Sequence, residues 1–315
     1  MKLWNETALL SVYTLTPTHV GTGQTNGAVD LPIARDAATG FPVLPATGIK
    51  GVLRDYAALD KEKIDQLFGK DLAEHGQADG PKAGRLAFTE ARLLAYPVRS
   101  LNRPFLHVTC PLILDSLRRD LRAVGGDALL TVADLPPSAA ALVSDQLLAN
   151  DTVVLEDLVY AANEISYSEA VAKLASDLQE LIPASEAATR ARFIKNLVVI
   201  PDADFGALME YVIPVQARIK LTGGKTTDKW ENPDTNKMES GSLWYEERLP
   251  SDCLFVALIG ERRDRRKDKE ADVTLGTLAG AKDAFSVVQI GGNETVGNGL
   301  CLTTLLHQSD RVKQP

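Results

Sequence analysis

The chain has 315 residues, of which 45% are hydrophobic and 24% charged, and 34 basic against 42 acidic residues leave a net charge of −8. That length allows about two domains, or one with large insertions; the longest apolar run, Cys253 to Ile259, is too short to span a membrane. Three scattered cysteines with no Cys-x-x-Cys pair exclude a disulfide scaffold and a cysteine zinc knuckle, and the acidic balance argues against a free-standing, non-specific nucleic-acid binder.

The N-terminus, Met1 to Glu6, carries no apolar signal core, so a cytoplasmic protein is expected. Ala8 to Thr16 reads as a strand, ended by Pro17. A loop rich in Gly and Thr follows, then a short edge strand, Leu31 to Ala34, which Pro32 bars from a sheet interior. Pro45 and Thr47 punctuate the start of a helix reaching about Leu59. Its apolar positions Ile49, Val52, Leu53 and Tyr56 follow the i, i+3, i+4, i+7 rule, and Lys50 and Arg54 share a different face. Strands are expected at Leu86 to Tyr96 and Phe105 to Leu114. From Ser116 to about Arg192 the texture turns Ala/Leu/Asp/Glu-rich, with one strong helix from Ser168 to Ile182, so this segment reads as a mostly helical insertion. Strands resume at Tyr211 to Leu221, Leu254 to Ile259, Phe285 to Ile290 and Leu300 to Leu306. The long polar stretch Thr222 to Ser242 between two of them is of the kind that is usually functional or disordered.

Several short motifs carry chemistry, each with an ordinary alternative. The glycine loop Gly291 to Gly299 follows a strand, and bare glycines let backbone N–H groups approach a phosphate. It is not a dinucleotide fingerprint, because a strand rather than a helix follows; alone, it reads better as a tight turn. Gly224-Lys225-Thr226 hints at a P-loop, but the required glycine five residues earlier is Ile219, so ATP binding is rejected. Asp30, in the loop after His19, suits acid–base or metal work on RNA, or merely caps a turn. Lys50 and Arg54 are by default surface cations, Tyr245-Glu246-Glu247 an ordinary strand end, and the basic run Arg262 to Lys269 a solvated hairpin tip.

Order and spacing make these signals specific together. Thr14 to Gly23, Val29 to Arg35, Thr39 to Pro45, Ile49 to Arg54, Glu90 to Ser100, Leu243 to Pro250 and the loop Ile290 to Gly299 resemble the RAMP-superfamily proteins of CRISPR effectors. Within that family the chain is most similar to the repeated backbone subunits of type III-B (Cmr) complexes. The resemblance covers roughly residues 8–115 and 211–306. It implies an α+β fold: a modified ferredoxin-like, RRM-like palm over 1–115 and 193–315, a helical insertion at 116–192 and a β-hairpin thumb at 222–242. It also implies head-to-tail copies along one guide RNA, other Cmr subunits as partners, and a thumb that flips a base at intervals. Cleavage of complementary target RNA, once per subunit, would centre on Asp30. Glu246, Glu247 and Tyr245 would add contacts to the same phosphate, and His19 would serve as acid. Guide contacts would come from Arg35, Lys50, Arg54, Gly291, Gly292, Gly297 and Gly299. The implied cofactor is Mg or Mn, loosely held at Asp30. Where relatives often carry Asp, this chain has Glu90, which is therefore left out of the catalytic set. A competing reading is a non-catalytic guide-RNA scaffold; the presence of Asp30 favours the enzyme.

Overall fold

The computed structural model describes residues 3–70, 83–132, 135, 141–143, 152–263 and 273–307. Its centre is the strand Trp4–Thr14, buried from Thr7 onward. It pairs antiparallel with Leu254–Arg262 on one side and Leu300–His307 on the other. A strand covered on both faces and both edges has nowhere to place a charge, which is why Ala8 to Tyr13 carries only apolar residues and one serine. Ser11 meets its need by donating from Oγ to the Leu181 carbonyl at 2.5 Å.

From this centre the sheet runs outward through Ala91–Arg99, Phe105–Thr109, Leu197–Val199, Ala141–Val143 and Ile165–Tyr167, and the other way to Val287–Gln289. Val43–Leu44 and Leu86–Phe88 pair off this path, giving 11 strands, parallel and antiparallel mixed. The architecture is α+β, with helices packed on the sheet.

The helix Ala46–Tyr56 forms where expected, with Ile49 and Leu53 in the core. Glu169–Leu178, continued by a 3₁₀ turn over Gln179–Leu181, buries the predicted stripe Val171, Leu174, Leu178 and Leu181 completely.

Four sequence expectations need correction. Phe105 to Leu114 is not one strand: Phe105–Thr109 is, and Pro111–Val124 is a helix. Proline fits the first helical position, and Ile113, Leu114, Leu117, Leu121 and Val124 form a helical stripe that a strand reading of the first few residues misses. Leu31 to Ala34 is not a strand but two isolated bridges, Leu31 to Glu246 and Ile33 to Gly21, flanking the proline that lacks a donor. Tyr211 ends the helix Asp202–Tyr211, and the next strand begins only at Val215, after Pro214. Among the described residues of 116–192, helix is interrupted by strand, so the segment is a mixed rather than a mostly helical insertion. Its described residues include the strands Ala141–Val143, Thr152–Leu155, Leu158–Ala161 and Ile165–Tyr167, and the first and last of these join the main sheet. Most of the basic run Arg262 to Lys269 lies outside the described residues.

One buried group makes the fold pH-sensitive. The His107 ring is fully buried against Phe193, Phe105 and Tyr13, with centroids 4.7, 5.1 and 6.4 Å away. Burial pushes its proton affinity down to about 3. The unfolded imidazole titrates near ~6.5, so between these values the unfolded chain binds the extra proton. Stability is therefore lost as pH falls through that window. A His107→Phe variant should lose less stability between roughly pH 7.5 and pH 5 in urea melts than the wild type; equal losses would contradict this.

Candidate RNA-processing site

The polar excursion after residue 220 is an ordered ribbon. Val215–Lys220 pairs antiparallel with Ser242–Glu247, and within it Trp230–Asn232 pairs with Lys237–Glu239. The pair Gly223-Gly224, which mimics part of a P-loop, has a packing reason. A Cβ at either would stand 2.7 or 2.9 Å from the Trp230 indole. Register puts Val215, Ala217 and Ile219 opposite Glu247, Tyr245 and Leu243. Val215, Ile219, Leu243 and Tyr245 are exposed, so the ribbon carries an open apolar stripe.

At the base of this ribbon the chain gathers five predicted residues. The backbone of Leu31 lies beside the ribbon's second strand, donating to Tyr245 O at 3.0 Å and accepting from Glu247 N at 3.0 Å. That strip delivers Asp30, whose Oδ2 accepts from the Tyr245 N–H at 2.8 Å. Thr25 closes the preceding loop by donating to Asp30 O at 2.9 Å. Asp30 is half-buried, and its Oδ1 takes no hydrogen bond from the described residues.

The neighbouring glutamates are differently placed. Glu247 accepts from Ile33 N at 2.9 Å and from Arg35 Nη2 at 3.1 Å. Arg35 spends its other nitrogen, Nη1, on the Gly40 and Met209 carbonyls, both at 3.1 Å. Glu246 is 1% exposed. Its Oε1 accepts from Arg248 Nε at 3.1 Å and from Asn293 Nδ2 at 2.7 Å. These two carboxylates and Arg35 are thus occupied by protein groups, and direct contact with a phosphate would require breaking those bonds. Arg54 is engaged too, by the Gly69 carbonyl and Asp65 at 2.5 and 3.2 Å. Lys50, on the same helix, has no ion pair among the described residues and is partly exposed.

His19 links the ribbon to the glycine loop. Its Nδ1 donates to Glu247 O at 2.7 Å, because a carbonyl can only accept, and stands 3.9 Å from Glu246 Oε1. Nε2 then carries the lone pair, directly beneath Gly21, where a Cβ would come within 2.5 Å of it. The His19 carbonyl accepts from Gly292 N at 2.9 Å, and Pro17 O accepts from Gly299 N at 2.9 Å. The close approach sets the glycines: a Cβ at Gly291, φ +87, would fall 2.1 Å from His19 O, and one at Gly299, φ +78, would fall 2.2 Å from Ile290 O. Gly297 has open space around it, and Gly292 nearly so. Sequence reading missed Asn293 and Arg248. Asn293 sits in the quoted loop with φ +66, a left-handed conformation that asparagine tolerates better than most residues, and that is the one local signal for it.

No group of three or more His, Cys, Asp or Glu side chains among the described residues is placed to hold a metal. The donor set does not make an all-protein cage.

The RAMP superfamily model matches residues 11–301. The chain belongs to the RAMP superfamily. This RAMP protein is 35% identical over 304 residues to the "CRISPR system Cmr endoribonuclease Cmr4" of Pyrococcus furiosus, covering 94% of this chain and 95% of the relative. It is similar in structure to oligomeric Cmr4 from the same organism, with a TM-score of 0.66 at 30% identity over 96% of this chain and 98% of the other. A chain of the type III-B Cmr-beta complex bound to cognate target RNA superposes with a TM-score of 0.68 over 96% and 98%; at 18% identity that match shows the fold alone. No helix among the described residues is long and apolar enough to cross a membrane.

Proposed function

We propose that this RAMP protein is a repeated backbone subunit of a type III-B CRISPR effector, which binds guide RNA and cuts complementary target RNA at regular intervals. The observation that carries the reading is the half-buried Asp30 carboxylate, held by the Tyr245 N–H at the ribbon base with one oxygen left over. The curated relative named an endoribonuclease, matched along nearly the whole chain, supports the activity.

In this reading the main sheet is a ferredoxin-like palm and 215–247 its thumb, larger than the sequence expectation of 222–242. Guide contacts are independent of sequence, so they fall to Lys50 and to the surface of the glycine loop around Gly291, because the N–H groups of Gly292, Gly297 and Gly299 already donate to the His19, Glu294 and Pro17 carbonyls. A nucleotide displaced from the duplex by the thumb can bring its 2′-OH into line with the next phosphate. The Asp30 carboxylate accepts a hydrogen bond from that hydroxyl and takes up its proton as the 2′-oxygen bonds to phosphorus and the P–O bond to the 5′-oxygen breaks, leaving a 2′,3′-cyclic phosphate and a 5′-oxygen that takes a proton. His19, with its free nitrogen lone pair under Gly21, serves the leaving oxygen only in its protonated form. Tyr245 offers an exposed ring beside the reacting base. Glu246, Glu247 and Arg35 act as positioning residues, and Arg54 braces its helix. The Asp30 carboxylate would also hold a Mg or Mn ion, with water and RNA phosphates as the other ligands, a mode usual for Mg, and the ion would supply charge stabilisation at the phosphate. The partners are guide RNA, target RNA, further copies of this chain and other Cmr subunits.

The reading is tested by reconstituting the guide-bound complex and mapping end-labelled target. Evenly spaced cuts that EDTA stops and Mg restores are expected. Target binding without cuts would leave a guide-RNA scaffold in place of a nuclease.

A further inference from the structure

An acidic protein that handles RNA must concentrate its cations somewhere, and most of the basic side chains at the ribbon base are occupied. Three that are not lie together elsewhere. The helix Ala187–Asn196 places Arg192 and Lys195 three residues apart, on one face. Its Phe193 is fully buried against the His107 ring, which fixes the helix's rotation. Asn196, 6% exposed, donates from Nδ2 to the Phe105 carbonyl at 3.1 Å and so pins the helix end to the 101–105 loop. That loop carries Arg103 and is itself braced by Asn102, which bonds Thr152 O and Val154 N at 2.8 and 3.0 Å.

The result is a concavity of ≈ 640 Å³ walled by Arg103, Phe105, Arg192, Lys195 and Asn196. Arg103, Arg192 and Lys195 are exposed and make no ion pair among the described residues. Phe105 is part-exposed and presents an aromatic surface between them. An adjoining concavity of ≈ 470 Å³ shares Pro104 and Phe105 with the first. Its far wall includes Pro17, the residue whose carbonyl holds Gly299 of the glycine loop, and Arg248, the partner of Glu246. The two concavities together thus make a trough that runs from the three cations to Pro17, one residue-to-residue contact from the glycine loop, with Asp252 as the carboxylate on the way.

We infer that this trough is a second guide-RNA subsite, in which Arg103, Arg192 and Lys195 hold successive phosphates of the strand as it leaves the glycine loop. The inference rests on the proposed function. Proximity to the glycine loop, through Pro17, favours RNA over an acidic protein segment. Three exposed cations in a row suit phosphates, and the guide backbone is the strand that must be held whatever its sequence. An aromatic face between cations is the arrangement that suits single-stranded RNA, where a base can stack while phosphates are neutralised.

The test measures binding of a labelled, mixed-sequence single-stranded RNA to the full chain across a salt series, for wild type and for Arg103→Ala/Arg192→Ala/Lys195→Ala. All three side chains are exposed, so equal thermal melts are expected and are checked. Each lost phosphate contact removes about 0.7 from the slope of log K against log salt, so the variant should be shallower by about 2 and weaker by on the order of tenfold or more. A Lys195→Arg variant, which keeps the charge, should bind like the wild type. Unchanged affinity and slope in the triple variant overturn the subsite while wild-type binding leaves the proposed function standing. Loss only with pre-annealed target duplex assigns the trough to the target strand and overturns the guide assignment. Loss of RNA-free self-association with RNA binding intact assigns it to a protein partner and overturns it as well. Failure of the wild type, alone and in the assembled complex, to bind RNA removes the proposed function, and the subsite with it.

Discussion

Asp30→Ala should reduce single-turnover cleavage of target RNA by about 10²–10⁴-fold, the range that a positioned acid–base group supplies. Guide binding, target binding and assembly should persist. The separation follows from geometry. Among the described residues the Asp30 side chain makes one hydrogen bond, to Tyr245 N at the edge of the ribbon. The strip that delivers it is held mainly through backbone, by Leu31 on Tyr245 and Glu247 and by Thr25 on the Asp30 carbonyl. Removing the carboxylate therefore leaves its scaffold standing. Asp30→Asn keeps an acceptor for Tyr245 N but cannot take a proton, so it should fail in cleavage as Asp30→Ala does while melting like the wild type. Full cleavage by either variant would remove Asp30 from the reaction.

The largest stability effect should come from a residue that, in this reading, touches no RNA. Glu246→Ala should destabilise the chain by about 3–5 kcal/mol, because it strands a buried cation. Arg248 is 8% exposed, its Nε is paired with Glu246 at 3.1 Å, and its Nη2 is buried without a hydrogen-bond partner. The same carboxylate oxygen holds Asn293, so its loss also loosens the glycine loop from the ribbon. Urea unfolding of the full chain measures the effect. Adding Arg248→Met should recover part of it, since a buried ion pair replaced by apolar groups is often neutral. A loss below about 1 kcal/mol for Glu246→Ala would mean that Arg248 finds water or another acceptor.

Much of this architecture is legible from local pattern. The helix Ala46–Tyr56 announces itself through a proline at its start and a regular apolar stripe, and the central strand through an apolar run broken only by Ser11. The start of the helix Pro111–Val124 is masked in the sequence, because its first residues follow directly on a strand of similar hydrophobicity. The strands between 141 and 167 are three or four residues long, too short to show a period among the surrounding Ala, Leu and Asp.

The site divides along a similar line. That Asp30, His19 and Tyr245-Glu246-Glu247 belong together is readable through family order, and the fold does bring them to one ribbon base. Which of them stays available is not readable. Glu247 and Arg35 are 212 residues apart and find each other only in three dimensions. Glu246 and Asn293 meet across 47 residues. Two adjacent glutamates of a strand look equivalent in sequence, yet the pleat sends one inward to Arg248 and the other across to Ile33 and Arg35.

The central claim is one cut per copy, made at Asp30. It is tested most directly by assembling the complex from mixtures of wild-type and Asp30→Ala chains and mapping every cut on an end-labelled target. The account predicts that each band of the ladder weakens in step with the fraction of variant, with its position unchanged and no band spared. A ladder that keeps its full intensity as the variant fraction rises would place the cutting group in another residue or another subunit.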